Sequence, residues 1–245
     1  MTTADVERMI AEVNGGAAKL TMVRNFLYNP GVIRAGRILE SLNQHPRLVE
    51  FQILVPPDDN LTLQQHWCHN LPGGVFSEFL PHAIYLLRQF LGELELTSLD
   101  LLKLSAREWM KYDELQVSLG SREGQGKIRA SLNSPHHRYI MDIYGETSAV
   151  RVDLYTRDVF PLRGNNMPFA AKIAEATKQA SAAIANLRVA TSYHVGRKHS
   201  PHEINMRLFV DSVLKGKAPP ISLDEMQVLV KTQEQITELI DARST

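Results

Sequence analysis

Histidine and carboxylate side chains that could exchange protons are concentrated between His66 and Gly92. Within this stretch Glu78 and His82 are four residues apart, in a segment that is mostly apolar. On a helix, residues at this spacing lie on the same face, one turn from each other. A carboxylate and an imidazole held that close can work as a general acid and base. The spacing therefore predicts that Glu78 and His82 form a proton-transfer pair.

Other histidines suggest different roles. His66, Cys68 and His69 invite a metal site, but zinc needs four ligands in a fixed geometry, and one short segment cannot point three of them inward. No second cluster has suitable spacing, so we predict no metal ligands. His136 and His137 lie in a predicted hairpin loop and are expected to be solvated. For His82, a structural role beside an apolar helix is the alternative. Pro81 could also start or kink that helix, which would change the spacing argument.

The fourteen glycines do not form a phosphate-binding loop. The densest group, Gly120, Gly124 and Gly126, falls between two predicted strands instead of opening a helix. The sequence contains neither a G-x-G-x-x-G fingerprint nor a P-loop, and it has no G-x-S-x-G or H-E-x-x-H motif. We therefore predict that this chain by itself has no cofactor-binding residues.

The composition is that of an ordinary soluble globular protein. The 245 residues are 44% hydrophobic and their formal charges cancel. A pI near 7.1 does not favour nucleic acid or an anionic membrane as a partner. The single cysteine excludes an internal disulfide framework and suits a reducing compartment. Because no apolar run approaches about 18 residues and the start does not resemble a signal peptide, we expect a cytoplasmic protein.

Periodicity and capping residues predict the elements that must position these side chains. The predicted helices are residues 3–13, a helix starting near Pro30, 76–91, about 169–189, a helix capped by Ser200, and a helix capped by Ser222. The predicted strands are 19–26, 49–55, 114–119, 127–132, 138–144 and 149–155, while 94–104 is either a strand or a strand followed by a turn. The last four strands read as an antiparallel meander joined by hairpins. The order predicts an α+β fold with a largely antiparallel open sheet packed on helices.

Four segments also match the motifs of one protein family in their order. Gly73-Gly74-Val-Phe-Ser-Glu78-Phe-Leu-Pro-His82 is similar to G-G-x-x-x-D-x-x-x-H, and Asn25-Phe-Leu-Tyr28-Asn-Pro30 to N-x-x-F/Y-x-P. Residues 141–147 resemble an I-x-G-x-x-G strand pair without its second glycine, and residues 202–222 resemble an F-x-x-x-x-x-x-G-x-x-P tail helix. Together they resemble the Gfo/Idh/MocA family of NAD(P)-dependent oxidoreductases, across nearly the whole chain.

The resemblance implies a parent with two domains, a Rossmann nucleotide domain followed by a substrate-binding and oligomerisation domain. Residues 1–28 would then be a remnant helix and strand from the end of the nucleotide domain, and residues 29–245 would form the second domain. The glycine fingerprint and the family's E-K-P lysine motif are missing. We therefore expect a truncated relative that is inactive alone and lacks the NAD or NADP used by complete members.

The resemblance also implies roles for individual residues. In complete members the matching histidine handles the proton that leaves as hydride moves from the substrate carbinol. His82 occupies that position, and Glu78 replaces an aspartate. The positions assigned to substrate binding are Asn25, Tyr28, His69, Asn70 and Tyr85. Tyr85 stands where many members keep a second aspartate, and Leu27 replaces a frequent arginine, which argues against the best-known sugar dehydrogenase subgroups.

Two functions therefore stay open. The first is a Gfo/Idh/MocA-like oxidoreductase chain that retains the substrate and assembly domain for a sugar, cyclitol or related carbinol. The second is a non-catalytic binding or oligomerisation module built on that domain, and nucleotide binding would separate the two. We also expect a homo-oligomer formed through the sheet face, because a large bare face would expose an apolar patch.

Overall fold

The computed structural model describes residues 1–16, 18–162, 169–196 and 199–243. The helices in these ranges are α1 (Thr3–Asn14), α2 (Pro30–Ser41), α3 (Phe76–Leu91), α4 (Phe169–His194), α5 (Pro201–Leu214) and α6 (Leu223–Ala242). The strands are β1 (Leu48–Leu54), β2 (Glu95–Leu102), β3 (Glu114–Gly120), β4 (Gln125–Ser131), β5 (Arg138–Tyr144), β6 (Ala149–Asp153) and β7 (Asp158–Pro161). The predicted helices are all confirmed, whereas β7 was not predicted.

Local capping explains why the helices begin and end where the sequence indicates. Thr2 and Asp5 form a reciprocal capping box at the start of α1, and the Ser222 hydroxyl accepts the backbone N–H of Glu225 in the first turn of α6. A cap of this kind stabilises a helix by about 1 kcal/mol. At the other end of α3, Gly92 has φ 72°, a conformation that glycine adopts without steric cost.

All seven strands belong to one sheet with the order β2-β3-β4-β1-β5-β6-β7. β1 lies in the middle, parallel to β4 and antiparallel to β5, and the other neighbours are antiparallel. The predicted α+β open sheet is therefore confirmed, but the uninterrupted meander was wrong. Val49, Phe51 and Ile53 on β1 are fully buried. The centre of the sheet, between β4 and β5, is the position at which these apolar side chains are best shielded from water.

One face of the sheet packs on α3 and the other is polar. Gly126 on β4 faces α3, since a Cβ there would lie 2.4 Å from Leu87. On the opposite face Glu50 pairs with Lys127 at 3.7 Å. The expectation that the open face is an apolar patch was therefore wrong. Strand alternation explains this, because on the central strands buried apolar residues such as Val49 and Phe51 alternate with polar ones such as Glu50 and Gln52.

The segment between α1 and α2 is not the predicted strand. Residues 18–24 have no regular secondary structure, and Asn25–Tyr28 form a 3₁₀ turn. Instead of a neighbouring strand, α5 and the loop after it hold this segment. The Lys19 ammonium donates to the carbonyl oxygens of Ser212 at 2.6 Å and Lys217 at 2.5 Å. A strand is stable only with a partner edge, and this segment pairs with none in the described part of the sheet.

Helix α1, by contrast, is formed as predicted and packs on α6. The Thr3 backbone N–H donates to the Glu234 carboxylate at 3.0 Å, and Gln227 donates to Glu7 at 3.0 Å. Val6 is fully buried at this contact. None of the helices in the described ranges has both the length and the hydropathy required to span a bilayer.

Candidate functional site

Helix α3 carries both residues of the predicted proton-transfer pair. It begins at Phe76 and continues through Pro81 without a break, so the proline does not mark its start. The preceding turn contains Gly73 and Gly74, with φ values of 75° and 58°. The Gly73 backbone N–H donates to the Asp241 carboxylate at 2.9 Å, which ties this turn to α6. The start of the helix, next to the residues that could do chemistry, is thereby fixed.

Four polar side chains from three parts of the chain form a continuous hydrogen-bonded chain, which we call the His82 network. His82 Nδ1 lies 2.9 Å from the Tyr85 hydroxyl. That hydroxyl donates to Asn25 Oδ1 at 3.2 Å. Asn25 Nδ2 in turn lies 3.0 Å from His202 Nε2. The network joins α3, the turn before α2, and the first turn of α5.

The directions of these bonds determine where the protons lie. The one proton of the Tyr85 hydroxyl goes to Asn25, and the same oxygen accepts the Phe26 backbone N–H at 3.2 Å. In this hydrogen-bond arrangement His82 Nδ1 carries the proton and donates to Tyr85. This tautomer leaves His82 Nε2 with a free lone pair, and Nε2 makes no hydrogen bond to the described residues. His82 consequently offers a hydrogen-bond acceptor at that atom.

Burial keeps His82 neutral. Desolvation lowers its pKa to about 4, with a smaller contribution from the nearby His202. Burial also raises the pKa of Tyr85 far above its usual range, and Tyr85 is only 1% exposed. At neutral pH both groups are uncharged. Tyr85 therefore holds His82 through its hydroxyl group and, being buried, exposes almost no surface to a substrate.

Glu78 faces a different set of groups from His82. Burial raises the pKa of the Cys68 thiol to about 11, and the Glu78 charge adds to that shift. Burial likewise raises the pKa of Tyr139, with contributions from Tyr155 and Glu78. No hydrogen bond joins Glu78 to His82 in the described structure. The two residues share a helix as predicted, but each has its own surroundings, and a catalytic role for Glu78 stays a prediction.

An open cavity of about 360 Å³ lies at the other end of the His82 network. We call it the Asn25 cleft, and its wall includes Asn25, Phe26, Tyr139, Tyr155, Arg157 and His202. The aromatic rings form a continuous side, with centroids 5.9 Å apart for Phe26 and Tyr139 and 5.5 Å apart for Tyr139 and Tyr155. The Phe26 ring also lies 4.9 Å from the His82 ring. His82 is thus separated from the cleft by Phe26.

A second histidine supports the aromatic side of this cleft. His137 Nδ1 lies 3.0 Å from the Asp59 carboxylate and its ring stacks on Tyr139 at 5.6 Å. His137 Nε2 is 3.3 Å from the Tyr155 hydroxyl. The expectation that His137 is solvated was therefore wrong, whereas His136 is exposed as predicted. The loop that carries Asp59 meets the β4–β5 connection only in the folded sheet, so spacing along the chain gave no signal of this contact.

The remaining predicted substrate residues do not meet at the Asn25 cleft. His69 lines a separate cavity of about 340 Å³ beside Gly73 and Asp241, with its ring 4.8 Å from that of Trp109. Asn70 is exposed, and Tyr28 is half-buried and lines neither cavity. Of the predicted residues, the structure therefore brings together Asn25, His82 and Tyr85. Their roles in binding stay predictions.

The donor groups of the described chain do not suit a metal ion. In the ranges that the structure covers, no three His, Cys, Asp or Glu side chains converge on one point. His66 Nδ1 contacts the Cys68 sulfur at 2.9 Å. The raised pKa of Cys68 keeps its thiol protonated, which is not the form that binds metals.

The glycine-rich segment does not fit a dinucleotide. It forms the tight connection between β3 and β4, where a Cβ on Gly124 would lie 2.1 Å from the Arg47 carbonyl oxygen. The glycine is required there by the approach of another backbone, and no helix follows to present N–H groups to a pyrophosphate. This segment therefore does not have the geometry of a dinucleotide-binding loop.

Comparisons with known proteins identify the fold. No family model and no curated protein matches the chain. Among solved structures it is similar to UDP-N-acetylglucosamine 3-dehydrogenase GnnA from Acidithiobacillus ferrooxidans, with 14% identity and a TM-score of 0.65 over 98% of this chain and 67% of that one. It is also similar to a probable dehydrogenase from Thermotoga maritima, with 16% identity and a TM-score of 0.68 over 99% and 69% of the two chains.

A third similar structure is the WlbA dehydrogenase from Bordetella pertussis in complex with NADH and UDP-GlcNAcA, with 15% identity, a TM-score of 0.64 and coverage of 99% and 67%. These neighbours are Gfo/Idh/MocA-type oxidoreductases, so the predicted resemblance is confirmed at the level of fold. The chain spans about two thirds of the length of these structures. It has the architecture of the family's C-terminal domain.

Proposed function

We propose that this chain provides the substrate-side domain of a Gfo/Idh/MocA-type oxidoreductase that acts on the carbinol of a sugar, cyclitol or related polyol. The observation that carries the proposal is the His82 network, which holds a neutral imidazole with Nε2 free to accept a hydrogen bond. A substrate hydroxyl is the natural donor to that atom. The fold of the neighbouring dehydrogenases supports the same conclusion.

The low pKa of His82 limits what it can do alone. Oxidation of a carbinol requires that the hydroxyl proton leave as the carbon gives up hydride. A base with a pKa of about 4 holds a proton weakly at pH 7, whereas an efficient catalytic base has a pKa near the working pH. His82 therefore orients the hydroxyl, and proton transfer needs a second group, for which the family resemblance implies a lysine. We propose that the chain alone is inactive.

The network positions His82 but does not conduct protons to the cleft. Asn25 lies between the Tyr85 hydroxyl and His202, and a carboxamide neither gains nor loses a proton near neutral pH. Its two ends instead fix the Tyr85 hydroxyl and the His202 tautomer. The network thus acts as a scaffold that joins the substrate-facing helix to the wall of the Asn25 cleft.

A binding experiment with the purified chain tests this function. A panel of monosaccharides and cyclitols is titrated and followed by saturation-transfer NMR, with His82→Gln as the test variant and the exposed His45→Gln as its matched control. We expect at least one polyol to bind, with affinity lowered at least tenfold by His82→Gln and unchanged by His45→Gln. Absence of polyol binding, or binding that His82→Gln leaves intact, would contradict the proposal.

Nucleotide binding is the second arm of this experiment. NADH and NADPH are titrated by their fluorescence, and the proposal expects no saturable binding to the chain alone. Saturable binding would show that the structural argument against a nucleotide site is wrong. A matched preparation heated above its melting temperature serves as the control for non-specific fluorescence change.

The alternative function, a non-catalytic oligomerisation module, is favoured by a different observation. Helix α4 exposes a stripe with alternating spacings of four and three residues, the pattern of a helix–helix seam. The stripe consists of Ile173, Thr177, Ala180, Ile184, Leu187 and Thr191, all exposed. Leu187 at 68% exposure is the most prominent apolar side chain in it. We therefore propose α4, and not the polar sheet face, as the surface for self-association.

Sedimentation velocity separates this alternative from the first function. If α4 forms the seam, Leu187→Lys shifts a concentration-dependent oligomer to monomer. The matched control is Leu102→Lys, which changes a residue of the same type with 53% exposure on β2. A wild-type chain that is monomeric at micromolar concentrations, or an oligomer that both variants leave intact, would count against an α4 interface.

A further inference from the structure

The turn between β6 and β7 fixes Arg157 at the rim of the Asn25 cleft. Asp153 accepts the backbone N–H groups of Tyr155 at 3.0 Å and Thr156 at 3.1 Å, which closes the turn. Arg157 then adopts φ 65°, a left-handed conformation that is uncommon outside glycine. The turn therefore presents Tyr155 and Arg157 to the same cavity.

The Arg157 guanidinium is held against an aromatic ring. It lies 4.3 Å above the centre of the Tyr193 ring on α4. Its side chain makes no hydrogen bond or ion pair with the described residues. Because all guanidinium N–H bonds lie in the plane of the group, stacking leaves them free to bind a planar anion with two parallel hydrogen bonds.

The charges around the cleft leave this cation uncompensated. Arg157 is the one side chain with a permanent charge among the described residues of the cleft wall. The nearest carboxylates are otherwise engaged. Asp59 pairs with His137, Asp153 holds the turn through backbone N–H groups, and Glu203 pairs with His199 and Arg207. An anion in the cleft would therefore be attracted by Arg157, against repulsion from Asp59, whose charge also acts on Tyr155.

The other side chains of the cleft suit a hydroxylated molecule of modest size. Tyr139 and Tyr155 offer aromatic faces, and Asn25 and His202 offer polar edges. The volume of about 360 Å³ holds roughly a dozen water-sized groups at about 30 Å³ each. A single six-carbon sugar acid has about that many non-hydrogen atoms, whereas a nucleotide sugar has about three times as many and would extend out of the open cleft.

We propose that the Asn25 cleft binds a monosaccharide-sized sugar acid, with its carboxylate paired to the edge of Arg157 and its ring against Tyr139 and Tyr155. This binding site is separate from the proposed contact of a carbinol with His82, because Phe26 lies between His82 and the cleft, and the proposal does not depend on the oxidoreductase function. Hexuronates are the simplest members of the class. A sugar phosphate carries the same kind of charge, and the titrations distinguish the two.

Isothermal titration of the full chain with D-glucuronate, D-glucose and D-glucose 6-phosphate tests the proposal. We expect glucuronate to bind at least tenfold more tightly than glucose. Arg157→Gln should abolish this preference, because it removes the charge and keeps a side chain of similar length. Arg157→Lys should retain part of the preference, because a charge without the planar edge makes weaker contacts. The exposed Arg122→Gln is the matched control and should leave all affinities unchanged.

Several outcomes would overturn the proposal. They are equal affinity for glucose and glucuronate, no binding of either, tighter binding of glucose 6-phosphate than of glucuronate, or a preference that survives Arg157→Gln. If Arg157→Gln does not fold, as judged by circular dichroism, the salt dependence of wild-type glucuronate binding replaces it, and affinity that does not fall with added NaCl is then the contrary result.

These titrations contain no nucleotide and measure no turnover. A failure of the oxidoreductase proposal, seen as polyol binding that does not depend on His82, therefore leaves the Arg157 result interpretable. Conversely, loss of the anion preference with His82-dependent binding of neutral polyols would overturn the sugar-acid assignment and leave the proposed function standing.

Discussion

His82 Nδ1 lies 2.9 Å from the hydroxyl of Tyr85, on the next turn of α3. This contact, and not the predicted pairing with Glu78, determines the state of the histidine. Because the Tyr85 hydroxyl donates its hydrogen bond to Asn25, His82 Nδ1 is left as the donor to Tyr85, which sets the tautomer of His82. The free Nε2 is a consequence of packing in the domain core and does not depend on a bound ligand.

Tyr85→Phe should destabilise the fold by about 1–3 kcal/mol, because it leaves buried polar groups without a partner. The lost hydroxyl serves His82, Asn25 and the Phe26 backbone N–H. Urea denaturation measures the change in the free energy of unfolding. Tyr144→Phe is the matched control, since Tyr144 is half-buried at the end of β5 on the polar sheet face, and it should change stability by less than about 0.5 kcal/mol. Equal effects of the two variants would contradict the network.

The stability of the folded chain should fall as the pH decreases from 6.5 to 4. In this window the unfolded chain binds a proton at His82 while the folded chain does not, because burial lowers the folded pKa from 6.5 to about 4. The stability that comes from keeping His82 neutral in the folded chain is complete above pH 6.5 and is lost progressively as the pH falls through 4. At 1.36 kcal/mol per pKa unit it reaches roughly 3 kcal/mol.

Denaturation at several pH values in this window, together with NMR titration of the His82 ring, measures that contribution. His82→Gln should flatten the pH dependence, whereas His45→Gln should leave the slope unchanged. Burial also lowers the pKa of His69, so a smaller slope remains in the His82 variant. An NMR pKa for His82 at or above 6.5 would show that its burial does not control its charge.

Asp113 should be the most stabilising carboxylate of the β2–β3 connection. It is fully buried and accepts the backbone N–H groups of Leu104 and Ser105, each at 2.8 Å. Burial alone would raise its pKa, but hydrogen bonds from Ser105 and Leu104 outweigh it and lower the pKa to about 2. The stabilisation is present above pH 3.8 and is lost as the pH falls through 2.

Asp113→Asn should therefore cost about 3 kcal/mol at pH 7, since hydrogen bonds to a charged acceptor contribute about 1.5–3 kcal/mol and the new amide faces backbone donors. The exposed Asp100→Asn on β2 is the control and should be nearly neutral. If thermal melting shows the same small change for both variants, the loop does not depend on this carboxylate.

The parts of the structure that could be predicted from sequence are those set by neighbouring residues. Ser200, Ser222 and Gly92 mark helix ends because caps act within a few residues. The position of β1 between β4 and β5 could not be predicted, because strand order is set by pairing between distant segments. The short strand β7 has too few residues for a clear alternating pattern.

In the candidate site, too, single residues could be predicted from sequence, whereas contacts between distant segments could not. The resemblance identified Asn25 and His82 one by one, and both lie in the His82 network. It gave no signal that His202 closes the network or that Asp59 anchors His137, because both contacts form across the fold. The spacing of Glu78 and His82 correctly placed them on one helix, yet spacing alone does not reveal which neighbours each side chain meets.

The contact between α3 and the sheet should tolerate no side chain at Gly126. A Cβ there would lie 2.4 Å from Leu87 Cδ2 and 3.1 Å from its Cγ, and both Leu87 and Leu91 are buried. Gly126→Ala should destabilise the fold by about 1–3 kcal/mol through overpacking. The matched control is Gly36→Ala in α2, where a new Cβ meets nothing within 4 Å and alanine should stabilise the helix by about 0.5–1 kcal/mol. Opposite signs in urea denaturation are the expected result, and a neutral Gly126→Ala would mean that α3 does not pack this closely on β4.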